Sequence, residues 1–579
     1  MFKRLLYTAF LLTFSIATID VSAQQSTVST GSINLTKPSA GDTSNVETTG
    51  KKASKRDAAV TSKTIETDLS EALTVIEQNY ADGDKLNYNN LFKSSIDSML
   101  HTLDPHSDYF DAKEFEEFRT SQRSEYFGIG ATINDLTTGN GTVLGTYIKA
   151  TFDGAPAQRA GLRYGDLIVE INGESVKGKR YPYVRDRLRG PRGTIAKLVV
   201  QKFDSGKLVP VEIVRDAVST PSITEAYMVR PDVGYIAMSG GFNQTTFDEF
   251  QLEMTKLKAA GMKKLMLDLR YNPGGLVSQA FLVANTFLKS GQVIITQRGR
   301  GKGLDRRYRA DNPSPDETPL IVLVNGNSAS ASEILSGALQ DHDRALIVGE
   351  TTFGKGLITN PFQLEYGSMV LLTIAKFETP SGRLIQRDYS DGKLYDYQTH
   401  GGTLDEADKP PKPKTDKKQT DSGRIVYGGG GISPDIEIKQ RTLTPKDVEE
   451  QRTLIDPLYM FSLELAYGKV KGFEKYRINS DIIYNHDLSK NEFVVTPELI
   501  KAFNGFANRE YKINATVTAD QTEFITRVLR SELVTAQYGT TTSLQVFNDY
   551  DTQLLEALKL FPQAEALELS AGAISTKSK

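Results

Sequence analysis

At 579 residues the chain is too long for one ordinary core, which implies three or four domains. Hydrophobic residues at 39%, charged residues at 24% and a formal net charge of -3 are ordinary for a soluble globular protein and supply no pull toward nucleic acid. Cysteine is absent, which excludes thiol nucleophiles and disulfides, and the five histidines stand too far apart for a metal motif, so neither a metal nor another cofactor is expected.

At the N-terminus, Lys3 and Arg4 precede an apolar run from Leu5 to Ile19 and a small-residue site at Val21-Ser22-Ala23. This pattern predicts a signal peptide over 1–23, export to the periplasm and cleavage after Ala23. An uncleaved, membrane-associated anchor is the alternative, although the run falls short of the roughly 20 apolar residues that span a bilayer. Residues 24–60 are rich in Ser, Thr, Gly and Lys and read as a flexible leader. Over 61–121, apolar residues at helical spacing, among them Leu69, Leu73, Ile76, Leu91, Ile96 and Leu100, predict a helical segment broken by LDPHSDYF at 103–110.

Short β-rich runs between glycine turns, with one helical stretch YPYVRDRLR, predict a small sheet-and-helix module over 122–217. From 218 to 440 a strand, glycine-rich loop and helix occur twice, in KKLMLDLR-YNPGG-LVSQAFLVANTFL and in PLIVLVN-GNSAS-ASEILSGALQ, so a layered α/β core is expected. Its stretch 388–427, dominated by Lys, Pro, Asp and Gly, reads as a solvated insertion. A mostly helical domain is expected over 441–579, its role unreadable. The fold class is therefore multidomain, mixing α/β and α+β parts.

Ser330, in NGNSASASE, follows an apolar strand and opens a helix, where unpaired N–H groups and the dipole favour negative charge near its oxygen. Serine is also a preferred helix cap, so Ser328, Ser330 and Ser332 could be loop residues only. Lys355, 25 residues on in TTFGKGLIT, is flanked by Gly354 and Gly356. A lysine acts as a base only where burial or nearby charge lowers its pKa, and a solvated loop lysine is the plain alternative. DLRYNPGGL at 268–276 can point backbone N–H groups of Gly274 or Gly275 at an oxyanion, together with that of Ala331, or be a structural turn.

Residues 349–355 match a phosphate loop except that Gly356 stands where Ser or Thr would hold a metal. LITNPFQLEY moreover reads as a strand where that loop requires a helix, so no nucleotide is expected. His342 lies twelve residues past Ser330, about 18 Å along the same helix, too far to be its base.

NPGG, SASASE and GETTFGKG in this order resemble the C-terminal processing (tail-specific) peptidases, whose core is similar to the Clp protease and crotonase fold. The resemblance covers roughly 65–440, with LDPHSDYF before a PDZ-like stretch, then the core and then GISPDIEI, and implies Ser330 as nucleophile and Lys355 as general base. Relatives of this kind carry glutamine four residues after the lysine; here it is Thr359, which could orient Lys355 or leave a dyad. The resemblance also implies a PDZ domain, on FGIGATI, GAPAQRAGLRYGDLIVEINGESV and LRGPRGT. Its loop Phe127-Gly128-Ile129-Gly130 would present N–H groups to a free peptide C-terminus, and Arg189 stands where the family places a basic residue near the domain interface, or is a surface arginine without a role. The implied protein is a serine endopeptidase acting on protein or peptide tails, compatible with self-association or an adaptor. The competing class is a PDZ scaffold without activity, against which the intact Ser330 and Lys355 argue.

Overall fold

The computed structural model describes residues 61–139, 141–301, 303–390, 397, 415–479, 481–513 and 519–568. The expected signal peptide, the leader and most of the 388–427 insertion lie outside the described residues. The described residues fall into two compact units, divided between Ser95 and Ile96.

In the first unit, α1 (Ser62–Asn79) starts at Thr61, whose hydroxyl accepts from the Thr64 N–H while the Thr64 hydroxyl accepts from Thr61 N–H. No residue of α1 is buried. α2 (Tyr88–His101) leads into the second unit, where LDPHSDYF is more than a break in the helical pattern. Its last three residues form β1 (Asp108–Phe110), followed by α3 (Ala112–Gln122).

The next module is closed at its neck by β2 (Glu125–Gly128) pairing antiparallel with β9 (Asp216–Ser219). Between them β3 (Ala131–Thr137), β4 (Val143–Thr151), β5 (Leu167–Ile171), β7 (Ile195–Gln201) and β8 (Leu208–Val214) form one sheet in that order. The short β6 (Glu174–Ser175) pairs with β5. Alternation sends Ile148, Ile168 and Val200 into a core that includes Val184 of α5 (Tyr181–Leu188); the one-turn α4 (Pro156–Arg159) precedes β5. Among the described residues β3 pairs only with β4 and is an edge strand.

The sheet of the α/β core runs β10 (Glu225–Arg230), β11 (Val233–Ala237), β12 (Lys264–Asp268), β15 (Leu320–Val324), β16 (Leu346–Gly349), β21 (Ile436–Glu437). All its neighbours are parallel except the edge pair β10–β11. Every residue of β15 is buried because both faces are covered. One face packs on α6 (Thr246–Ala259), α7 (Val277–Phe287) and α8 (Ala331–Asp341). A second, antiparallel sheet contains β13 (Val293–Gly299), β14 (Arg306–Arg309), β17 (Leu357–Gln363), β18 (Met369–Glu378) and β1.

Within the insertion expected to be solvated, β19 (Thr415–Gln419) and β20 (Ile425–Gly428) pair as a hairpin whose Asp416, Lys417 and Ile425 are exposed. Its turn is fixed to the end of α8 by Arg424, which bonds Asp343 at 2.6 Å. Charged composition hid a β-hairpin because its anchoring is tertiary.

The C-terminal domain consists of α9 (Pro445–Ala466), α10 (Pro497–Tyr511), α11 (Ala519–Asn548, broken at Gly539) and α12 (Thr552–Leu558). Leu458, Phe461, Phe503 and Leu529 pack on Tyr147 and Tyr164 of the small module. Across that contact Lys149 pairs with buried Glu532 at 2.6 Å, and the Tyr164 hydroxyl donates to the same carboxylate. Leu554 and Ala557 of α12 cover the other face of the α/β sheet.

Candidate active site

Three loops leave the carboxyl ends of neighbouring parallel strands β12, β15 and β16, the place where open α/β sheets build sites. They carry Gly274-Gly275, Ser330 and Lys355 respectively. The first two loops are tied together: the Ala329 N–H and the Ser332 hydroxyl both donate to Asn272 O, and the Ser328 hydroxyl donates to Leu269 O. The serines of the motif thus divide, Ser328 and Ser332 holding the loop while Ser330 takes no part in these ties. Ser330 caps α8 in a strained backbone conformation, φ 55 and ψ -111.

A β-carbon on Gly274 would come within 2.7 Å of Ser330 Cβ and 2.9 Å of Ala331 N, so only glycine allows this approach. Gly274 was expected to share the oxyanion role, but its N–H donates to Asn272 Oδ1 at 2.9 Å. Gly275 and Ala331 are the two whose N–H groups make no hydrogen bond among the described residues. The expectation for Gly274 is corrected accordingly: it provides the close approach, not the donor.

Glu333, fully buried, joins the serine and lysine loops. Its Oε2 accepts from the N–H groups of Ser330 and Lys355, each at 2.8 Å, and Oε1 accepts from Gly354 N–H at 2.7 Å and the Thr352 hydroxyl at 2.5 Å. Burial pushes its carboxyl up, and these bonds pull it back. Lys355 is lowered from the ordinary lysine value by burial, against the opposing pull of the Asp104 and Glu333 carboxylates. The loop is followed by strand β17 rather than a helix, unlike a phosphate loop. His342, at the far end of α8, bonds Asp421 and Val293 O at 2.7 Å each.

Thr359 lies in β17 opposite Thr373, and its side chain makes no hydrogen bond among the described residues; the structure does not link it to Lys355. LDPHSDYF, by contrast, reaches the site, because β1 pairs with β18. Asp104 is buried, and His106 Nε2 lies 2.8 Å from the Tyr397 hydroxyl. Neither residue was singled out in the sequence. Glu333 was readable there as the fourth residue of a Ser-x-x-Glu capping pattern.

The C-terminal domain braces the root of the glycine loop: Arg270 pairs with Asp268 and with Asp551, each at 2.6 Å, and donates to Gln553 at 2.9 Å.

In the small module, the carbonyls of Phe127, Ile129 and Gly130 accept from Gly190, Ala157 and Phe152, while the N–H groups of Ile129 and Gly130 donate to nothing among the described residues. A β-carbon on Gly128 would lie 3.8 Å from Arg189 Cγ. The Arg189 guanidinium stacks 4.9 Å over the Tyr126 ring, partly desolvated and forming no ion pair among the described residues.

Peptidase family S41 matches residues 232–397, and the PDZ domain family matches 148–202. The carboxy-terminal-processing protease of Bartonella bacilliformis is 38% identical over 301 residues, 51% of this chain and 67% of that protein. A CtpA-like serine protease of Staphylococcus aureus is 33% identical over 304 residues, 52% of this chain and 59% of that protein. A solved photosystem II D1 C-terminal processing protease is 26% identical, with 66% of this chain and 94% of that one covered at a TM-score of 0.33. On the matched peptidase domain and a relative covered over two thirds of its length, the chain belongs to peptidase family S41, with the carboxy-terminal-processing proteases.

Proposed function

We propose that the chain is an exported, periplasmic serine endopeptidase that cuts protein substrates near their C-termini, with Ser330 as nucleophile and Lys355 as general base. The observation that carries this is the joining of the serine and lysine loops through Glu333, beside two unengaged amides. Neutral Lys355 takes the Ser330 proton as Oγ attacks the peptide carbonyl, and the Gly275 and Ala331 N–H groups receive the oxyanion. On collapse the C–N bond breaks and the Lys355 ammonium returns its proton to the leaving amine. Water, deprotonated by Lys355, then hydrolyses the ester.

The Phe127–Gly130 loop and Arg189 hold the substrate's terminal carboxylate, and the free edge of β3 pairs with its extended tail. Thr359 has no direct role in this scheme.

The test incubates the mature protein and its Ser330→Ala variant with an unfolded protein and follows fragments by mass spectrometry. Cleavage by the parent alone is expected; equal cleavage by both, or none by either, favours the scaffold. Substrates with an amidated C-terminus should be cut more slowly, because the loop's donors lose a charged partner; equal rates would remove the carboxylate role. N-terminal sequencing of protein from the exporting cell should begin at Gln24, and a retained Met1 would indicate an anchor.

A further inference from the structure

We propose that Asp104 is a positioning residue for Lys355, held in place by the 104–107 turn and acting where Thr359 does not. The inference rests on Lys355 being the base.

Asp104 is only 6% exposed, and its carboxylate organises the turn. Oδ1 accepts from the His106 and Ser107 N–H groups at 2.8 and 2.9 Å, and Oδ2 accepts from the Ser107 hydroxyl at 2.6 Å. The turn is then tied at two points to the chain that follows the lysine. At one, the fully buried Ser107 oxygen accepts from Thr373 N–H at 3.1 Å, and Thr373 is the strand partner of Thr359. At the other, His106 reaches the Tyr397 hydroxyl, which accepts from Gln386 Nε2 at 3.1 Å, and Gln386 Oε1 accepts from the N–H of Gly356, the residue after Lys355. A turn before β1 is thus built into the surroundings of a lysine that follows β16.

Among the described residues, Asp104 from this turn and Glu333 from α8 act on Lys355, and Lys355 and Arg387 both act on His106. Glu333 already accepts four hydrogen bonds from three backbone amides and a hydroxyl, which fixes it as a brace. His106 is held in its neutral form by burial, reinforced by the Lys355 and Arg387 charges. Asp104 therefore supplies a negative charge that favours the ammonium formed when Lys355 takes the serine proton.

The readout is the pH midpoint for acylation of the Lys355 amine by acetic anhydride, followed by mass spectrometry of the full chain in a Ser330→Ala background. It requires no peptidase activity, so it separates failure of this inference from failure of the proposed reaction. Asp104→Asn keeps the shape and removes the charge, and should move the midpoint down by about one pH unit. In the Ser330-containing enzyme the acid limb of kcat/KM should move the same way, with kcat reduced and KM little changed. An unmoved or raised midpoint in a folded Asp104→Asn protein overturns the proposal, whatever the rate. Should that variant fail to fold, Ser107→Ala loosens the turn without changing its charge. It should lower kcat at constant KM, and parental kcat would overturn the proposal.

Discussion

Lys355→Ala is expected to lower kcat/KM for a cleaved peptide by about 10²- to 10⁴-fold, the range for loss of a general base. Thr359→Ala should lower kcat only modestly, since its side chain makes no hydrogen bond among the described residues. In the parent enzyme the acid limb has a definite sign. Burial lowers Lys355, so the folded chain releases this proton at a pH where the unfolded chain still holds it. Activity rises with pH through the folded pKa because only the neutral amine accepts a proton. Stability also rises with pH over the window between the folded pKa and the ordinary lysine value of about 10.4, because there the unfolded state binds more protons. Steady-state kinetics across pH and thermal melts on parent and variants measure both. A folded Thr359→Ala enzyme as inactive as Lys355→Ala would replace the dyad by a Ser-Lys-Thr triad.

What could be read in the sequence follows from the range of the interactions. Continuous apolar runs gave away β12 and β15, and glycines and serines marked the loops that carry Gly274, Ser330 and Lys355, because strand, turn and helix start are local patterns. Which glycine amide stays available was not local: it depends on Asn272 turning its side chain back to Gly274. The part played by Asp104 needed the β1–β18 pairing, which brings distant stretches of chain together. Amphipathic periodicity identified helices after 441 but not the surfaces they cover. Those follow from buried partners such as Glu532 with Lys149, and from Asp551 with Arg270.

Glu333→Gln tests the link between nucleophile and base, and should lower kcat by roughly 10²-fold or more, because a misplacement of about 1 Å at reacting groups has that effect. The carboxylate is suited to its place because all four of its neighbours are donors. An amide of the same shape has one oxygen and one NH₂ group, so two donors must face a donor whichever way it turns. With Nε2 toward Ser330 and Lys355, both backbone N–H groups lose their acceptor; with Nε2 on the other side, Gly354 N–H loses its acceptor and the Thr352 hydroxyl must turn away. Each buried amide left unsatisfied costs about 1–3 kcal/mol, partly offset because a buried negative charge is also removed. The rate should therefore suffer more than the melting temperature. Glu333→Asp keeps the charge but shortens the reach, and should also fail to hold both loops. The discriminating measurement is kcat on one peptide beside the thermal midpoint: parental kcat in a folded Glu333→Gln enzyme would show that the serine and lysine keep their alignment without this carboxylate.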